Sequence, residues 1–475
     1  MSGLLESIGV QAQSLNAQSA AISVAGKNLS NSDDPNYAVE TANLASTTDG
    51  GAMLTGVTDA RSQIIDAQIA QSLSAQGSLN AQQNTASTIQ SLLGEQINTA
   101  ADSSTATGNT TSSSSESGLS TALSNFFNSF SQLSSDPSQT SYQQAAISSA
   151  QTLAGQLNGL SSSLSQESTS VGQEVNAETT QAQGLLQSIA SLNGQIAKLE
   201  ISNPGSALDL INSRQGDINT LSGLMNITVT NSPEGLGQVD IGSVDAGANP
   251  VPLVSDATVQ GSLSYNSGTN SFTGGLGGTT LDITGGTMAG YQSMVGSTIP
   301  TLNTNLNNIA NQLVTSVNAV YSTGATGSAG NFFAPAGTTA ATIAVQPAIV
   351  SAGTLVTGTS GTSGDNSDAL AIANLQTHSF ASGGGNTIQG TFGNYYNSNV
   401  VTAVGQQVSS LSTQQDTATL VYNNLMTQQQ SVEGVSTDQQ TSDLMIYQRA
   451  YQGIANVITV MNTLLNTVVT GLGIG

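Results

Sequence analysis

The 475-residue chain contains no cysteine and no tryptophan, one histidine, and only five cationic side chains: Lys27, Lys198, Arg61, Arg214 and Arg449. Without cysteine, neither a disulfide framework nor a thiolate metal site can form; the absence is compatible with a protein that folds outside the cell without oxidation. Five scattered cations cannot build a nucleic-acid groove or a surface for anionic lipid, because phosphate binding needs clustered positive charge. Asp and Glu total 28, and the formal charge is −23. This acidity favours solubility and repels copies from one another. Packing between copies must therefore come from apolar contact and hydrogen bonding. The first residues lack the basic start and unbroken apolar stretch of a secretory signal. No run is expected to reach the ~18 apolar residues of a membrane span.

Catalytic constellations are equally scarce. The lone histidine, His378, reads as a surface or packing residue, and no nucleophile elbow accompanies it. Gly26-Lys27 is not a phosphate loop, since Ala21 and Asn28 stand where a glycine and a hydroxyl residue are required; Lys27 reads as a solvated charge at a helix end. Gly274-Gly275-Leu276-Gly277-Gly278 reads as a turn. Asp365-Asn366-Ser367-Asp368 lacks calcium-loop spacing and reads as a helix N-cap before Ala369. The chain predicts no enzyme, metal or cofactor.

What is present is helical patterning at both extremities. Leu444, Tyr447, Tyr451, Ile454, Ile458, Met461, Leu465 and Val468 follow a 3-4 repeat, the seam of a helix that lies on another helix. Ile8, Leu15, Ile22 and Leu29 recur every seven residues, with Leu4, Leu5 and Val10 beside them. Gln11 and Gln18 narrow that seam. The two ends are expected to pair as a stem that is loose in a free subunit and firm in an assembly.

Between them the texture alternates. Residues 1–31 read as helix, broken around Asn31 to Pro35. Helix is expected at 58–98, a flexible Ser/Thr/Gly loop at 101–117, and long helices at 119–225, where Leu153, Leu157, Leu160 and Leu164 step 4-3-4. Residues 226–285 read as short strands with glycine turns. Helix returns at 287–321, Gly/Thr-rich strand at 322–400 with a short helix near 367–375, and helix at 403–430 and 436–470. The fold class is α+β. Long terminal helices form a coiled-coil stem (1–45 with 431–475). A helical bundle follows (46–225 with 287–321 and 401–430), and strand-rich outer regions (226–286 and 322–400) are inserted in the middle.

Two terminal motifs carry a resemblance. Asn28, Asn31, Pro35 and Tyr37 resemble the N-terminal signature of flagellar rod, hook and hook-associated proteins, with Asn36 in the usual glycine position as a residue that tolerates a left-handed turn. Gly434, Val435, Asp438, Gln448, Ala450 and Gln452 resemble the C-terminal signature of the same group, with Gln439-Gln440 in place of an acidic pair. Internal segments around Leu123 to Pro137, Leu208 to Ser222, Ile299 to Phe333 and Gly364 to Ala371 are similar to the hook-associated family found at the hook–filament junction. That resemblance implies an extracellular structural protein of the bacterial flagellum, exported unfolded through the flagellar type III apparatus. It implies a ring-like layer of copies between hook protein and a second hook–filament junction protein. It also implies a cytoplasmic chaperone on the C-terminal segment, terminal helices lining the central channel, and no membrane insertion or nucleic acid. Other axial components, or a secreted adhesin using the outer region, are the alternatives.

Overall fold

The computed structural model describes residues 2–94, 118–203, 205–324, 330–360, 362 and 364–471. The loop expected at 101–117 lies outside the described residues, as does Pro204. In chain order, helix α1 (Ser2–Ser30) leads into a hairpin, β1 (Glu40–Ser46) and β2 (Ala52–Asp59). Helices α2 (Gln63–Leu93), α3 (Leu119–Ser135), α4 (Thr140–Ser202) and α5 (Leu208–Leu224) follow. Seven strands come next: β3 (Thr228–Asn231), β4 (Val239–Val244), β5 (Pro250–Ser255), β6 (Thr258–Val259), β7 (Ser264–Asn266), β8 (Ser271–Gly274) and β9 (Thr279–Leu281). The chain then returns to helix: α6 (Gly286–Ser293), α7 (Ile299–Tyr321), α8 (Pro347–Ala352), α9 (Ser367–Asn374), α10 (Phe392–Tyr396), α11 (Thr402–Glu433) and α12 (Thr437–Gly471). π-Helical turns at Met294–Thr298 and Asn397–Val401 join α6 to α7 and α10 to α11.

The mast of the molecule is α4, 63 residues long and roughly 95 Å at 1.5 Å per residue. Its first half buries Ile147, Leu153, Leu157, Leu160 and Leu164 in a core shared with α3 and α7. Its second half buries Val175, Ala182, Leu186 and Ile189 in another core with α5 and the sheets. In the first core α3 supplies Phe126 and Phe130, which meet Phe332 or Phe333 edge-on or tilted with ring centroids 5.4–6.2 Å apart, and Phe127, which meets Phe392 at 5.6 Å. Such aromatic geometry adds roughly 0.5–1.5 kcal/mol per pair beyond area burial. In the second core β3 to β6 form an antiparallel meander and β7 to β9 a smaller one, linked by the Asp245–Leu281 bridge. Helix α2 lies close to the end of α5: a Cβ on Gly77 would sit 2.2 Å from the Gly223 carbonyl oxygen, so only glycine permits that approach.

Three expectations are corrected. The described residues of 322–400 contain short helices and two isolated bridges, Phe333–Val345 and Phe380–Gly390, in place of strands. Moreover, Phe332, Ile343, Ile349, Ile388 and Phe392 belong to the same core as α3 and α7. The Gly/Thr-rich composition signals irregular backbone here, and its sparse large apolar residues cap a helical core instead of forming a sheet. Residues 40–59 are a hairpin, so α2 starts at Gln63 and not near 58. Asn36 is not among the residues with positive φ. Its turn is held by Asp34 Oδ1 accepting from the Asn36 amide, and the Asn36 side chain docks on Asn219 of α5.

Candidate assembly stem and its joint

Helices α1 and α12, from opposite ends of the chain, lie against each other. The face of α1 that becomes fully buried is made of small side chains, Ser14, Ala17, Ala21, Ala25 and Asn28. It packs on the β1–β2 hairpin and on the start of α12, so that Ser14 Oγ accepts from the Ala52 amide at 2.8 Å. The heptad residues Leu4, Ile8, Leu15 and Ile22 flank this line and are half-buried, as is Val10. Leu5 and Leu29 are exposed. On α12, Leu444, Tyr447, Ile454, Ile458, Met461 and Leu465 are half-buried, while Tyr451 and Val468 are exposed. The seam is thus present but incompletely covered in one copy. Sequence reasoning missed the alanine line, whose signal was Ala17, Ala21 and Ala25 at a spacing of four.

A second apolar row on α12, Ile446, Val457, Val460, Leu464 and Val468, faces solvent, with Val460 60% exposed. Beside it Thr459, Thr463, Thr467 and Thr470 form a polar stripe and turn their hydroxyls back onto carbonyls four residues earlier. This composition overturns one expectation: the helical run Phe392–Gly471 contains a window long and apolar enough to cross a membrane by length and composition, none of it buried. The Asn and Thr positions that interrupt it leave a broad apolar arc and a polar stripe, the pattern of a helix with more than one packing partner.

The stem is tied to the body at one polar node. Asn28 is fully buried and acts as a surrogate strand for Glu40. Its Nδ2 donates to the Glu40 carbonyl at 2.8 Å, and its Oδ1 accepts from the Glu40 amide at 2.9 Å. Nδ2 also donates to Gln440 Oε1 of α12 at 2.9 Å, and Tyr37 donates its hydroxyl to Oδ1 at 2.7 Å. Lys27, expected as a solvated charge, instead bridges Glu40 at 2.6 Å and Asp209 of α5 at 2.5 Å. Burial works against its charge, but the hydrogen bonds it donates to these two carboxylates hold its pKa above the ordinary lysine value. Burial pushes the Glu40 carboxyl up, with Lys27 opposing. Burial, reinforced by Glu40 and Asp209, raises the Tyr37 phenol further, keeping it protonated as the donor.

A second node closes the joint from α11. Glu433 Oε1 accepts from the Ser62 amide at 2.8 Å and its carbonyl accepts from Val39. Gln429 Nε2 reaches both Glu433 Oε2 and Asp66 Oδ1, at 3.2 and 3.4 Å. Arg61 Nη1 stands 3.2 Å from Asp66 Oδ2. Burial raises the carboxyl pKa of both Asp66 and Glu433. Gly434 follows where a Cβ would lie 2.3 Å from the Gln430 carbonyl oxygen, so glycine is what lets α11 turn into α12.

The remaining motif residues occupy less committed positions. Pro35, Gly434, Asp438, Gln448 and Gln452 are exposed, and Asn31, Val435 and Ala450 are half-buried. Asn31 Nδ2 donates to the Lys27 carbonyl, closing the end of α1. His378 is exposed and packs edge-on against Phe380 at 4.7 Å. Asp365 accepts from the Ser367 amide at the start of α9, as a capping residue does, and also from Ser360. No group of three potential metal ligands occurs among the described residues.

A chain whose two ends form one strut, with a long helical body hung from it by polar nodes, is in class an extended structural subunit with uncovered apolar surface along the strut. Residues 104–333 match the family model described as the flagellar hook-associated protein FlgK helical domain. The chain is thus similar to flagellar hook-associated proteins over its helical body. It is 24% identical over 395 residues, 74% of its length, to flagellar hook-associated protein 1 of Bacillus subtilis (strain 168), and the match spans 76% of that protein. It is also similar to the flagellar hook junction protein FlgK from Burkholderia pseudomallei, at 24% identity and a TM-score of 0.44. That superposition covers 57% of this chain and 46% of the other, under half of its length.

Proposed function

We propose that the chain is an axial structural protein of the bacterial flagellum that joins hook to filament. It is a flagellar component that assembles with hook and filament components, as the family match and the Bacillus relative support. The observation that carries the reading is the α1–α12 pair with a second apolar row on α12 left in solvent. An uncovered row of this kind wants copies of itself around a common axis, and with few cations available the contact is apolar.

In this reading the stem comprises 1–45 with 431–475 and lines a channel, and the hairpin to residue 59 buttresses it. The helical body takes in 60–225, 287–321, 401–430 and also 322–400, whose apolar residues share its core. The outer, strand-rich part is 226–286. The neighbours are hook protein on one side and a second junction protein on the other. A cytoplasmic chaperone holds the C-terminal segment during type III export, which needs no cleaved signal. The polar stripe of α12 argues for helix partners over a bilayer. A strain lacking the gene should carry bare hooks and release flagellin monomers into the medium, both restored by the full-length chain. Filaments attached normally in that strain would refute the proposal.

A further inference from the structure

We propose that a cavity between α2, α5 and β3 is a binding site for one small oxyanion, of the phosphate or carboxylate class, held by Arg61 and Arg214. The cavity has a volume of about 120 Å³ and is lined by Arg61, Gln63, Asp66, Arg214, Gln215 and Asn231 over an apolar floor. A single water needs roughly 10–15 Å³ on the same measure.

Two of the chain's three arginines meet here, each more than nine-tenths buried: the Arg61 side chain is 9% exposed and Arg214 is 6% exposed. Their charges are not balanced alike. Arg61 faces Asp66 at 3.2 Å and Asp59 at 3.9 Å. Arg214 donates from Nη1 to Asn193 Oδ1 at 2.8 Å and to the Gly237 carbonyl at 2.7 Å, and among the described residues no carboxylate lies within ion-pair distance of it. Desolvation, with Arg61 adding to it, lowers the Arg214 pKa to about 10, which leaves it charged at neutral pH.

Three buried nitrogens around this corner make no hydrogen bond: Arg214 Nε, Arg61 Nε, which has only the Asp59 carboxylate at 3.9 Å, and Asn212 Nδ2, which stands behind the cavity wall. Arg61 and Asn212 are adjacent, since Arg61 Nη2 donates to Asn212 Oδ1 at 2.6 Å. All three are donors. Buried donors without partners are costly, and a deficit that lies wholly on the donor side is met by an acceptor-only group. The unbalanced guanidinium of Arg214 favours an anion over a neutral acceptor, and the fork of an arginine suits the oxygens of phosphate or carboxylate.

The test is equilibrium dialysis of the full-length chain with inorganic phosphate, and separately with acetate, at fixed ionic strength, because phosphate also stabilises proteins without binding. Saturable binding of one equivalent of either anion is expected. Asn231 stands exposed at the mouth, paired with Gln63 at 3.0 Å, so it can be replaced without disturbing either arginine. Asn231→Asp should weaken binding at least tenfold and Asn231→Lys should tighten it, an opposite pair that a merely structural role would not produce. Arg214→Met, checked for folding by circular dichroism, should abolish binding. Absence of saturable binding to the native chain, or binding of equal strength in both Asn231 variants, would overturn the assignment.

Discussion

At the scale of single residues, the joint rests on buried polar groups that have few substitutes. Asn28→Ala would strip four hydrogen bonds and leave the Glu40 amide and carbonyl unsatisfied. At roughly 1–3 kcal/mol for each orphaned buried group, a loss of about 2–4 kcal/mol is expected in urea denaturation. Glu433 makes a prediction with a definite sign. Its folded pKa is raised, so the folded chain holds this proton more tightly than the unfolded one. Its contribution is fully present below the unfolded carboxylate pKa of about 4.3 and is lost as pH rises through the higher folded value. Glu433→Gln keeps an acceptor for the Ser62 amide and removes this dependence. The variant should gain stability relative to the native chain at pH 7 and little at pH 4, read as the difference between the two chains in urea midpoint. The motif residues Asn28 and Tyr37 were legible as a pattern in the sequence. Their partners Glu40 and Gln440 were not, because a hydrogen bond between residues 28 and 440 leaves no trace in spacing.

At the scale of elements, the two helices of the stem differ in what they commit. The α1 line of Ala17, Ala21 and Ala25 lets backbones approach closely, so Ala21→Leu should force α1 off the hairpin at about 1–3 kcal/mol, visible as faster amide exchange across α1. The α12 seam is only half-covered by α1, and in the proposed function other copies complete it. Ile458→Asp puts a charge into an apolar contact that copies would bury. It should block filament attachment while costing the isolated chain, in which Ile458 is only half-buried, about 1 kcal/mol in the thermal melt. A large loss of monomer stability would mean instead that the single copy already depends on this seam. The 3-4 repeat of α12 was visible in the sequence because helical period is local. Its second apolar row, Val457, Val460 and Leu464, gains meaning only when one sees which flank α1 leaves uncovered.

At the scale of the whole molecule, α4 runs through both cores, so they should melt as one unit. Thr169 is exposed and lies between Leu164 of the first core and Val175 of the second. Thr169→Pro would break the mast there at about 3 kcal/mol, and calorimetry should resolve two transitions where the native chain has one. Within either core the native packing is untouched by that change, so helix content should fall only slightly in circular dichroism.

Local pattern was enough to determine the terminal helices, the helical block from 119 and the strands from 228. Each of these rests on a periodicity or a short motif, and such signals survive without tertiary contact. The region 322–400 went the other way: its Gly/Thr-rich composition suits strands, yet Phe332, Ile343, Ile349 and Phe392 drop into the helical core and leave the backbone irregular. Tertiary structure also decided that Lys27 is an ion-pair bridge and not a free helix end, and that Arg61 and Arg214 meet in one cavity. These outcomes depend on which distant surfaces come together, and burial and pairing across hundreds of residues are properties of the packed chain alone.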